Sequence, residues 1–283
     1  MKKTVLGFLL LTSLCIAAVP QIEPSINAQA EINSPLIGDK TVPILWGVAP
    51  TADSLHLGNW ASLRFMQSFG HPSMAVFNVE TAGLDPNGMR ETNRIELKVA
   101  QANMDRISAQ LKALLPTMPI YHTDADMWPR FKQVLLDVQL LKKSDPKMIS
   151  LADQLYPLVD SYDYLFLAQK LGLKKAIFVA GTDQRANLEA IKAIFENRGI
   201  AVAILFHPLL LDAAHAKMGK SMTNAIYIND PQAITQYVQD LPEKDLSDVW
   251  NALADGTMPK DSTQARQALL DQLLAIAKKV QKL

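Results

Sequence analysis

The chain has 283 residues, of which 49% are hydrophobic and 20% charged, and its 28 basic side chains balance 28 acidic ones. This composition excludes wholesale disorder and allows one large hydrophobic core or two smaller ones. The zero formal charge gives no support to nucleic-acid binding through a generally basic surface, although it leaves room for a local basic patch.

Residues 1–30 have the pattern of a secretory signal peptide. Lys2 and Lys3 form a charged start, an apolar run extends from residue 5 to residue 19, and Ala28-Gln29-Ala30 offers a small-x-small cleavage site. The pattern predicts a secreted or periplasmic protein, and a cytoplasmic one if the signal is not used.

The same apolar run is too short for a permanent membrane anchor. It has fewer than the roughly 20 apolar residues that a spanning helix needs, and Pro20 ends it. The single cysteine, Cys15, lies inside the segment that a signal peptidase would remove. We therefore expect a mature chain with no stable membrane anchor, no disulfide and no thiol chemistry.

After the signal, residues 31–41 are rich in proline and polar residues and are predicted to form a linker, so the fold is expected to begin near Val42. From there, apolar runs of strand length alternate with stretches of helical periodicity. The predicted strands are Val42–Trp46, Met74–Val79, Pro119–Tyr121, Ala176–Val179 and Ala201–Phe206, and helices are predicted after Leu57 and over about residues 90–115, 128–171 and 183–197.

This alternation predicts an α/β fold, a doubly wound parallel sheet of the Rossmann type with helices on both faces and ligands at the carboxyl ends of its strands. We expect it to cover residues 42–240, with a helical insertion at 116–155. Residues 241–283 are predicted to form a short C-terminal helical segment, because their leucines recur at helical spacing.

The first segment that carries chemistry follows the first predicted strand and reads Gly47-Val48-Ala49-Pro50-Thr51-Ala52-Asp53-Ser54-Leu55-His56-Leu57-Gly58-Asn59. A strand, a turn and a helix that begins near a glycine direct backbone N–H groups and the positive end of the helix dipole at one point, where a phosphate binds well. His56 can also serve merely as the cap of that helix, and the residues alone leave both interpretations open.

Two further segments lie where strands are predicted to end. Lys217-Met218-Gly219-Lys220-Ser221 places two lysines three residues apart, and such cations stabilise charge that develops on phosphates, although the pattern also occurs on solvated surfaces. In Gly181-Thr182-Asp183-Gln184, a carboxylate at a strand's carboxyl end is well placed to bind ribose hydroxyls. Asp183 can alternatively cap the following helix.

A fourth group, Tyr156, Asp160 and Asp163, falls on one face of a predicted helix, so a phenol and two carboxylates can line one pocket or lie on a solvated face. Asp85 begins the segment Asp85-Pro86-Asn87-Gly88, which by itself is typical of a turn.

Three of these segments resemble sequence blocks of class I aminoacyl-tRNA synthetases of the tyrosine and tryptophan branch. PTADSLHLGN resembles the "HIGH" motif of tyrosyl enzymes, with Asn59 in the place of the second histidine, as is common in tryptophanyl enzymes. KMGKS resembles their "KMSKS" loop, with Gly219 replacing one serine. GTDQ is similar to the tyrosyl block that binds the adenylate. The resemblance covers roughly residues 42–240.

The resemblance implies binding of ATP, with Mg²⁺ accompanying the nucleotide and no metal site on the protein itself. The residues that match ATP-binding positions are Gly47, Thr51, His56, Gly58, Asn59, Gly181, Asp183, Lys217, Met218, Lys220 and Ser221. Those that match catalytic positions are His56, Asn59, Lys217 and Lys220.

The amino-acid pocket of the family matches Asp85, Tyr156, Asp160, Asp163 and Gln184. Three positions depart from the tyrosyl pattern: Leu45 replaces a tyrosine, Ala49 replaces an aspartate and Asp160 replaces a glutamine. The segment Asn224-Ala225-Ile226-Tyr227-Ile228 resembles tryptophanyl enzymes instead. On balance the resemblance favours tyrosine over tryptophan as the amino acid.

The function that the resemblance implies is ATP-dependent activation of tyrosine, or tryptophan, to an aminoacyl adenylate, with transfer to tRNA as a further step. Because about forty residues follow the core, anticodon recognition is expected to be absent or supplied by another component. The related enzymes are dimers, which makes a homodimer the default. The alternative is an exported pseudoenzyme or binding protein that keeps the fold without aminoacylation.

Overall fold

The computed structural model describes residues 34–77, 79, 95–123, 151–212, 216–219 and 224–283, and for 151–157 it describes the backbone alone. The predicted signal peptide and its cleavage site lie outside these residues. Within the described ranges, no helix combines the length and the apolar character needed to cross a membrane.

The described part of the chain alternates strands and helices as the sequence predicts. The strands are β1 (Ile44–Gly47), β2 (Ser73–Phe77), β3 (Ile120–His122), β4 (Lys175–Gly181) and β5 (Ala201–His207). The helices are α1 (Pro35–Gly38), α2 (Leu57–Ser68), α3 (Leu97–Leu114), α4 (Leu151–Lys170), α5 (Arg185–Asn197), α6 (Pro231–Asp240), α7 (Leu246–Leu253) and α8 (Ser262–Val280). Short 3-10 helices at Thr182–Gln184 and Glu243–Asp245 precede α5 and α7.

The five described strands form one parallel sheet in the order β3-β2-β1-β4-β5. Ile44 on β1 lies opposite Ser73 on β2 and opposite Ile177 on β4. The chain therefore winds outward from β1 in one direction and from β4 in the other, which confirms the predicted doubly wound α/β fold. In such a sheet, ligands bind in the crevice at the carboxyl ends of the two central strands.

Helices cover both faces of this sheet, which is why its strands are nearly continuous apolar runs. Ile44 and Trp46 of β1 face a core shared with α2, α3 and the C-terminal helices. Leu45, which points the other way, packs in a second core with α4 and α5. Phe178 in that second core is fully buried, and its truncation to alanine is expected to cost about 3–5 kcal/mol of unfolding free energy.

The prediction that residues 31–41 form a linker is wrong for the described part of that segment. Ser34 caps α1, and Ile37 within α1 is 7% exposed and packs in the first core. His71 fixes the segment further, because its ring nitrogens lie 2.8 Å from the carbonyl of Val42 and 3.0 Å from that of Ile37. The fold thus begins by Ser34, and a proline at the start of a helix explains why the segment resembles a linker in sequence.

The C-terminal helices pack in the same core as the sheet. Leu269, Leu273 and Val280 of α8 are buried, as the leucine periodicity predicted. Arg64 on α2 is 7% exposed and binds the loop between α7 and α8, with its guanidinium 2.6 Å from Asp255 Oδ1. Residues 241–283 are therefore joined directly to the helix that carries the first signature.

The predicted helical insertion at residues 116–155 contains a strand in its first part, and most of the rest of it is not described. Ile120–His122 forms strand β3 at the edge of the sheet, and α4 begins at Leu151. Residues 124–150 lie outside the described residues. Similarly, the helix predicted over about 90–115 is described from Leu97 onward.

Candidate functional site

The first signature occupies the turn between β1 and the N-terminus of α2. His56 is the N-cap of α2: its Nδ1 accepts a hydrogen bond from the Asn59 N–H at 3.3 Å, and Asn59 Oδ1 accepts from the His56 N–H at 3.2 Å. A side chain at Gly58 would place its Cβ 2.9 Å from the His56 ring. Glycine at position 58 therefore lets the imidazole lie against the first turn. The capping interpretation of His56 is confirmed, and it holds the ring at the helix N-terminus.

Helix α3 holds the turn that leads into this cap. Asn103 donates to the Pro50 carbonyl at 3.1 Å, and Gln110 Oε1 accepts from the Leu55 N–H at 2.9 Å. Asn103 and Gln110 are both buried. Thr51 closes the turn, with its N–H donating to the Ala49 carbonyl at 2.8 Å. Buried amides on α3 thus satisfy the backbone of a loop that has no regular secondary structure.

The stretch after the second signature pairs with the first. The Leu57 N–H donates to the Ile226 carbonyl, and the Ile228 N–H donates to the Leu55 carbonyl, each at 2.9 Å. His56 and Tyr227 consequently form an antiparallel bridge. Backbone hydrogen bonds thus join the first signature to the stretch that follows the second.

The lysine loop, defined as residues 208–224, follows β5. Its described part folds back on itself, since the Met218 N–H donates to the Leu210 carbonyl at 2.9 Å. The Met218 side chain is 4% exposed and packs in the first core, so this predicted ATP-binding residue anchors the loop through its side chain. Asn224, at the end of the loop, binds the backbone of its lysine segment. Its amide nitrogen lies 3.0 Å from the Lys217 carbonyl, and its oxygen accepts from the Gly219 N–H at 3.0 Å.

The lysine loop meets the Gly181–Gln184 segment through an ion pair. Lys217 Nζ lies 2.5 Å from Asp183 Oδ2, which also accepts a hydrogen bond from Gln184 at 3.0 Å. Burial raises the pKa of Asp183, but the hydrogen bonds from Lys217 and Gln184 and the charge of Lys217 outweigh it, so the pKa lies below its usual value. Asp183 makes no capping hydrogen bond to the following helix. Its carboxylate instead faces the loop cation.

Gly181 is required by the same cluster. A Cβ there would lie 2.6 Å from Asp183 Oδ1 and 2.7 Å from the Leu209 side chain. Glycine at the end of β4 therefore makes room for the carboxylate to turn back over the strand end. This explains in physical terms why the segment has a glycine two residues before its acid.

The carboxylates predicted for the amino-acid pocket lie on α4. Asp163 is 4% exposed, and its Oδ1 accepts a hydrogen bond from Thr123 Oγ1 at 3.0 Å, just past the end of β3. Asp160 is half-buried one turn earlier. Leu45, the position that departs from the tyrosyl pattern, is fully buried in the core on this side of the sheet.

Some predicted site residues fall outside the described residues, namely Asp85, Lys220, Ser221 and the side chain of Tyr156. Gln184 is exposed and also accepts from Asn187 at 3.0 Å. In the described ranges, no group of three or more His, Cys, Asp or Glu side chains could hold a metal ion.

The motifs did not point to His207, which closes β5. Its Nε2 lies 2.6 Å from the Ser62 hydroxyl on α2, and its Nδ1 lies 2.8 Å from the Pro208 carbonyl. Burial lowers the pKa of His207, against smaller raising effects of the Pro208 carbonyl and the Asp183 charge. The neutral ring therefore donates from Nδ1 and accepts from Ser62, joining the signature helix to the strand that enters the lysine loop. In the sequence, the indication for a site residue at this position is that His207 directly follows a predicted strand.

The sequence has clear relatives among known proteins. Residues 127–254 match the family of class I tRNA synthetases for W and Y, tryptophan and tyrosine. The human mitochondrial tyrosine--tRNA ligase is 31% identical over 221 residues, which are 66% of this chain and 46% of that protein. The tyrosine--tRNA ligase of Protochlamydia amoebophila is 29% identical over 76% of this chain and 57% of its own length. The chain thus spans about half the length of these relatives.

Solved structures show the same fold. The tyrosyl-tRNA synthetase of Archaeoglobus fulgidus complexed with L-tyrosine superposes with a TM-score of 0.68 at 16% identity, covering 93% of this chain and 97% of that one. The tryptophanyl-tRNA synthetase of Plasmodium falciparum gives a TM-score of 0.60 at 12% identity, covering 87% and 77%.

The sheet order and the superposed structures show the fold of class I synthetase catalytic cores. The family match over residues 127–254 and the sequence relatives support a catalytic core of the tyrosyl- and tryptophanyl-tRNA synthetase family.

Proposed function

We propose that this chain activates tyrosine with ATP, giving tyrosyl adenylate and pyrophosphate. The observation that carries the proposal is the pairing of Lys217 with Asp183 at the carboxyl end of β4, the neighbour of β1, which leads into the His56–Asn59 cap of α2. An anion-binding helix terminus, a carboxylate suited to ribose and a cation suited to phosphate thus lie at one edge.

In the proposed reaction, a carboxylate oxygen of the amino acid attacks the α-phosphorus of ATP. A bond from that oxygen to phosphorus forms, the bond from phosphorus to the bridging oxygen breaks, and the electron pair leaves with pyrophosphate. His56 and the α2 N-terminus stabilise charge on the α-phosphate, and Lys217 with Lys220 stabilises the leaving pyrophosphate. Mg²⁺ is expected to enter with the triphosphate and to neutralise part of its charge.

The amino-acid end of the proposed site lies between β1 and α4. The buried Asp163 carboxylate, fixed by Thr123, is suited to a polar group on the substrate ring, and Asp160 is suited to its ammonium. The sequence relatives that are tyrosine--tRNA ligases, and the L-tyrosine complex of the similar A. fulgidus enzyme, support tyrosine. Tryptophan is the second candidate, because Leu45 and Asn59 are residues at which the chain departs from the tyrosyl pattern.

Transfer of the activated amino acid to tRNA and assembly as a homodimer are further parts of the proposal, supported by the family. The similarities do not favour the alternative of an exported pseudoenzyme. Export through the residues 1–30 signal is a separate proposal, which rests on the sequence pattern alone.

The decisive experiment is amino-acid-dependent exchange of labelled pyrophosphate into ATP by the purified chain. Tyrosine is expected to support exchange, and tryptophan, phenylalanine and no amino acid serve as comparisons. Asp183→Asn is expected to lose most of the exchange at low ATP concentration without unfolding the chain, and Asp271→Asn, on an exposed face of α8, is the matched control. No exchange with any aromatic amino acid by a folded wild-type sample would refute the proposal.

A further inference from the structure

Tyr164 on α4 is a phenol in an unusual position. It follows Asp163 directly, and it lies four residues after Asp160, so it shares the helical face of that carboxylate. Its side chain is 7% exposed, and its ring packs edge-on against Phe178 with ring centroids 5.1 Å apart. The ring is therefore fixed by the second core, and the position of its hydroxyl is fixed with it.

That hydroxyl lies at the carboxyl end of β1. It occupies the space beside Gly47 that a side chain would fill, since a Cβ built on Gly47 would lie 2.1 Å from the Tyr164 oxygen. Gly47 is on the same face of β1 as Leu45, two residues earlier. The hydroxyl thus lies on the α4 side of the sheet, at the strand end where ligands of such sheets bind.

The Tyr164 hydroxyl lies close enough to two carboxylates of the same helix to feel their charge. Burial, with the charges of Asp160 and Asp163, raises the pKa of Tyr164 well above its usual value. The group is therefore a protonated donor throughout the physiological pH range, next to the two carboxylates of the proposed amino-acid pocket.

We propose that the Tyr164 hydroxyl is a specificity-determining group of this pocket and hydrogen-bonds the polar atom on the ring of the bound aromatic amino acid. This inference rests on the proposed function for the identity of the ligand. Leu45 on β1 has no hydroxyl, and Tyr164 supplies a phenol from α4 on the same side of the sheet. Asp163 and Tyr164 then present an acceptor and a donor to the same substrate atom, which a substrate hydroxyl can satisfy and a bare ring cannot.

The test compares Tyr164→Phe with wild type by calorimetric titration of L-tyrosine, L-tryptophan and L-phenylalanine, without ATP. Wild type is expected to prefer tyrosine to phenylalanine. Tyr164→Phe is expected to bind tyrosine about 10-fold more weakly and phenylalanine unchanged, because one hydrogen bond is lost and the ring contacts are kept. Its thermal unfolding midpoint is expected to stay close to that of wild type, since the ring and its contact with Phe178 are kept.

Tyr162→Phe is the matched control. Tyr162 is 4% exposed on the same helix, but its hydroxyl accepts a hydrogen bond from Arg198 at 3.1 Å. This variant is expected to lose stability and to keep the wild-type preference between tyrosine and phenylalanine. A general loosening of α4 would lower the preference in both variants, and that result would overturn the proposal.

Other outcomes separate this inference from the proposed function. A 10-fold loss confined to tryptophan would overturn the inference, because an indole N–H cannot accept a hydrogen bond from the Tyr164 donor. An unchanged preference in Tyr164→Phe would overturn the inference while leaving adenylation intact. Discriminating binding without any pyrophosphate exchange would uphold the role of Tyr164 and refute the proposed function.

Discussion

Lys217 Nζ lies 2.5 Å from Asp183 Oδ2, and this contact joins two segments that are 34 residues apart in the sequence. The carboxylate that matches the family's ribose-binding position is therefore paired with the cation that matches its phosphate-binding position. ATP binding is expected to exchange this ion pair for contacts to ribose and to phosphate, so that the two residues act on the nucleotide as a unit.

Asp183→Asn is expected to raise the KM for ATP about 10-fold or more, because it removes charge-assisted hydrogen bonds worth about 1.5–3 kcal/mol. Pyrophosphate exchange at varied ATP measures this effect. Asp271→Asn is the matched control. Asp271 is an exposed carboxylate on α8, and it accepts a hydrogen bond from the Gln267 side chain at 2.8 Å. Equal KM values in wild type and both variants would show that Asp183 does not contact ATP.

His207 predicts a particular dependence of stability on pH. Its pKa in the folded chain is lowered below the ordinary value of 6.5, mainly by burial. The neutral ring therefore contributes stability that is fully present above pH 6.5 and is lost as the pH falls toward the folded pKa. Asp183 is the charged group that acts on it, and it stays ionised in this range because its own pKa is lowered.

Urea unfolding between pH 7.5 and 5 is the measurement. Wild type is expected to lose stability over this interval, and His207→Gln, which has no titrating ring and can still bind Ser62, is expected to lose much less. Parallel curves for the two proteins would show that another group is responsible.

His56→Asn separates the structural and the chemical roles of His56. Asparagine is among the best N-cap residues, so the variant is expected to keep the wild-type unfolding free energy within about 0.5 kcal/mol. It lacks the imidazole, so the adenylation rate is expected to fall about 100-fold, as for loss of one donor to a developing charge. A full rate in the variant would leave His56 with the capping role alone.

The matched variant Asn59→Ala is expected to be less stable than wild type, unlike His56→Asn. It removes the side chain that accepts from the His56 N–H at 3.2 Å, at a cost of about 1 kcal/mol. Denaturant unfolding and pyrophosphate exchange, both measured on His56→Asn and Asn59→Ala, distinguish the capping role of His56 from its chemical role.

The sequence predicted much of the fold because its signals are local. Apolar runs and helical periodicity indicated five strands and the helices between them, and the parallel sheet followed from their alternation. The position of Asp183 at the carboxyl edge that also carries the first signature likewise followed, since carboxyl ends of parallel strands share one edge. The spacing of Asp160 and Asp163 correctly placed both carboxylates on α4.

The missed features depend on contacts between residues far apart in the chain. The burial of Ile37, the Ser62–His207 hydrogen bond and the Arg64–Asp255 pair have no counterpart in periodicity or motif spacing. Tyr164 was missed because a tyrosine beside apolar residues is typical of a core position. Its hydroxyl reaches the space that a side chain at Gly47 would fill, and this contact joins residues far apart in the chain.

Gly47→Ala is expected to be destabilising by about 1–3 kcal/mol, because the new methyl group would lie 2.1 Å from the Tyr164 oxygen and 2.9 Å from its Cζ atom. The double variant with Tyr164→Phe is expected to recover part of this loss, since the nearer atom is gone and the farther one remains. Thermal unfolding of the four proteins forms a double-mutant cycle. Simple additivity would mean that residue 47 and the hydroxyl do not touch.

The proposed export predicts cleavage after Ala30. The new N-terminus at Glu31 would lie three residues before Ser34, whose hydroxyl accepts from the Leu36 N–H and caps α1. Cleavage is therefore expected to leave the unfolding free energy unchanged. N-terminal sequencing of the chain from cells, with fractionation, tests this, and an intact Met1 in the cytoplasm would contradict it.

The Arg64 contact limits how the chain can be divided or extended by protein engineering. Because the α2 guanidinium binds Asp255 and the Ala254 carbonyl, a chain shortened after Leu253 would leave a buried cation unpaired in the helix that presents His56 and Asn59. A tRNA-binding module is therefore better fused after α8 than substituted for it. Any shortened version should first be tested for whether α2 keeps its packing against the rest of the fold.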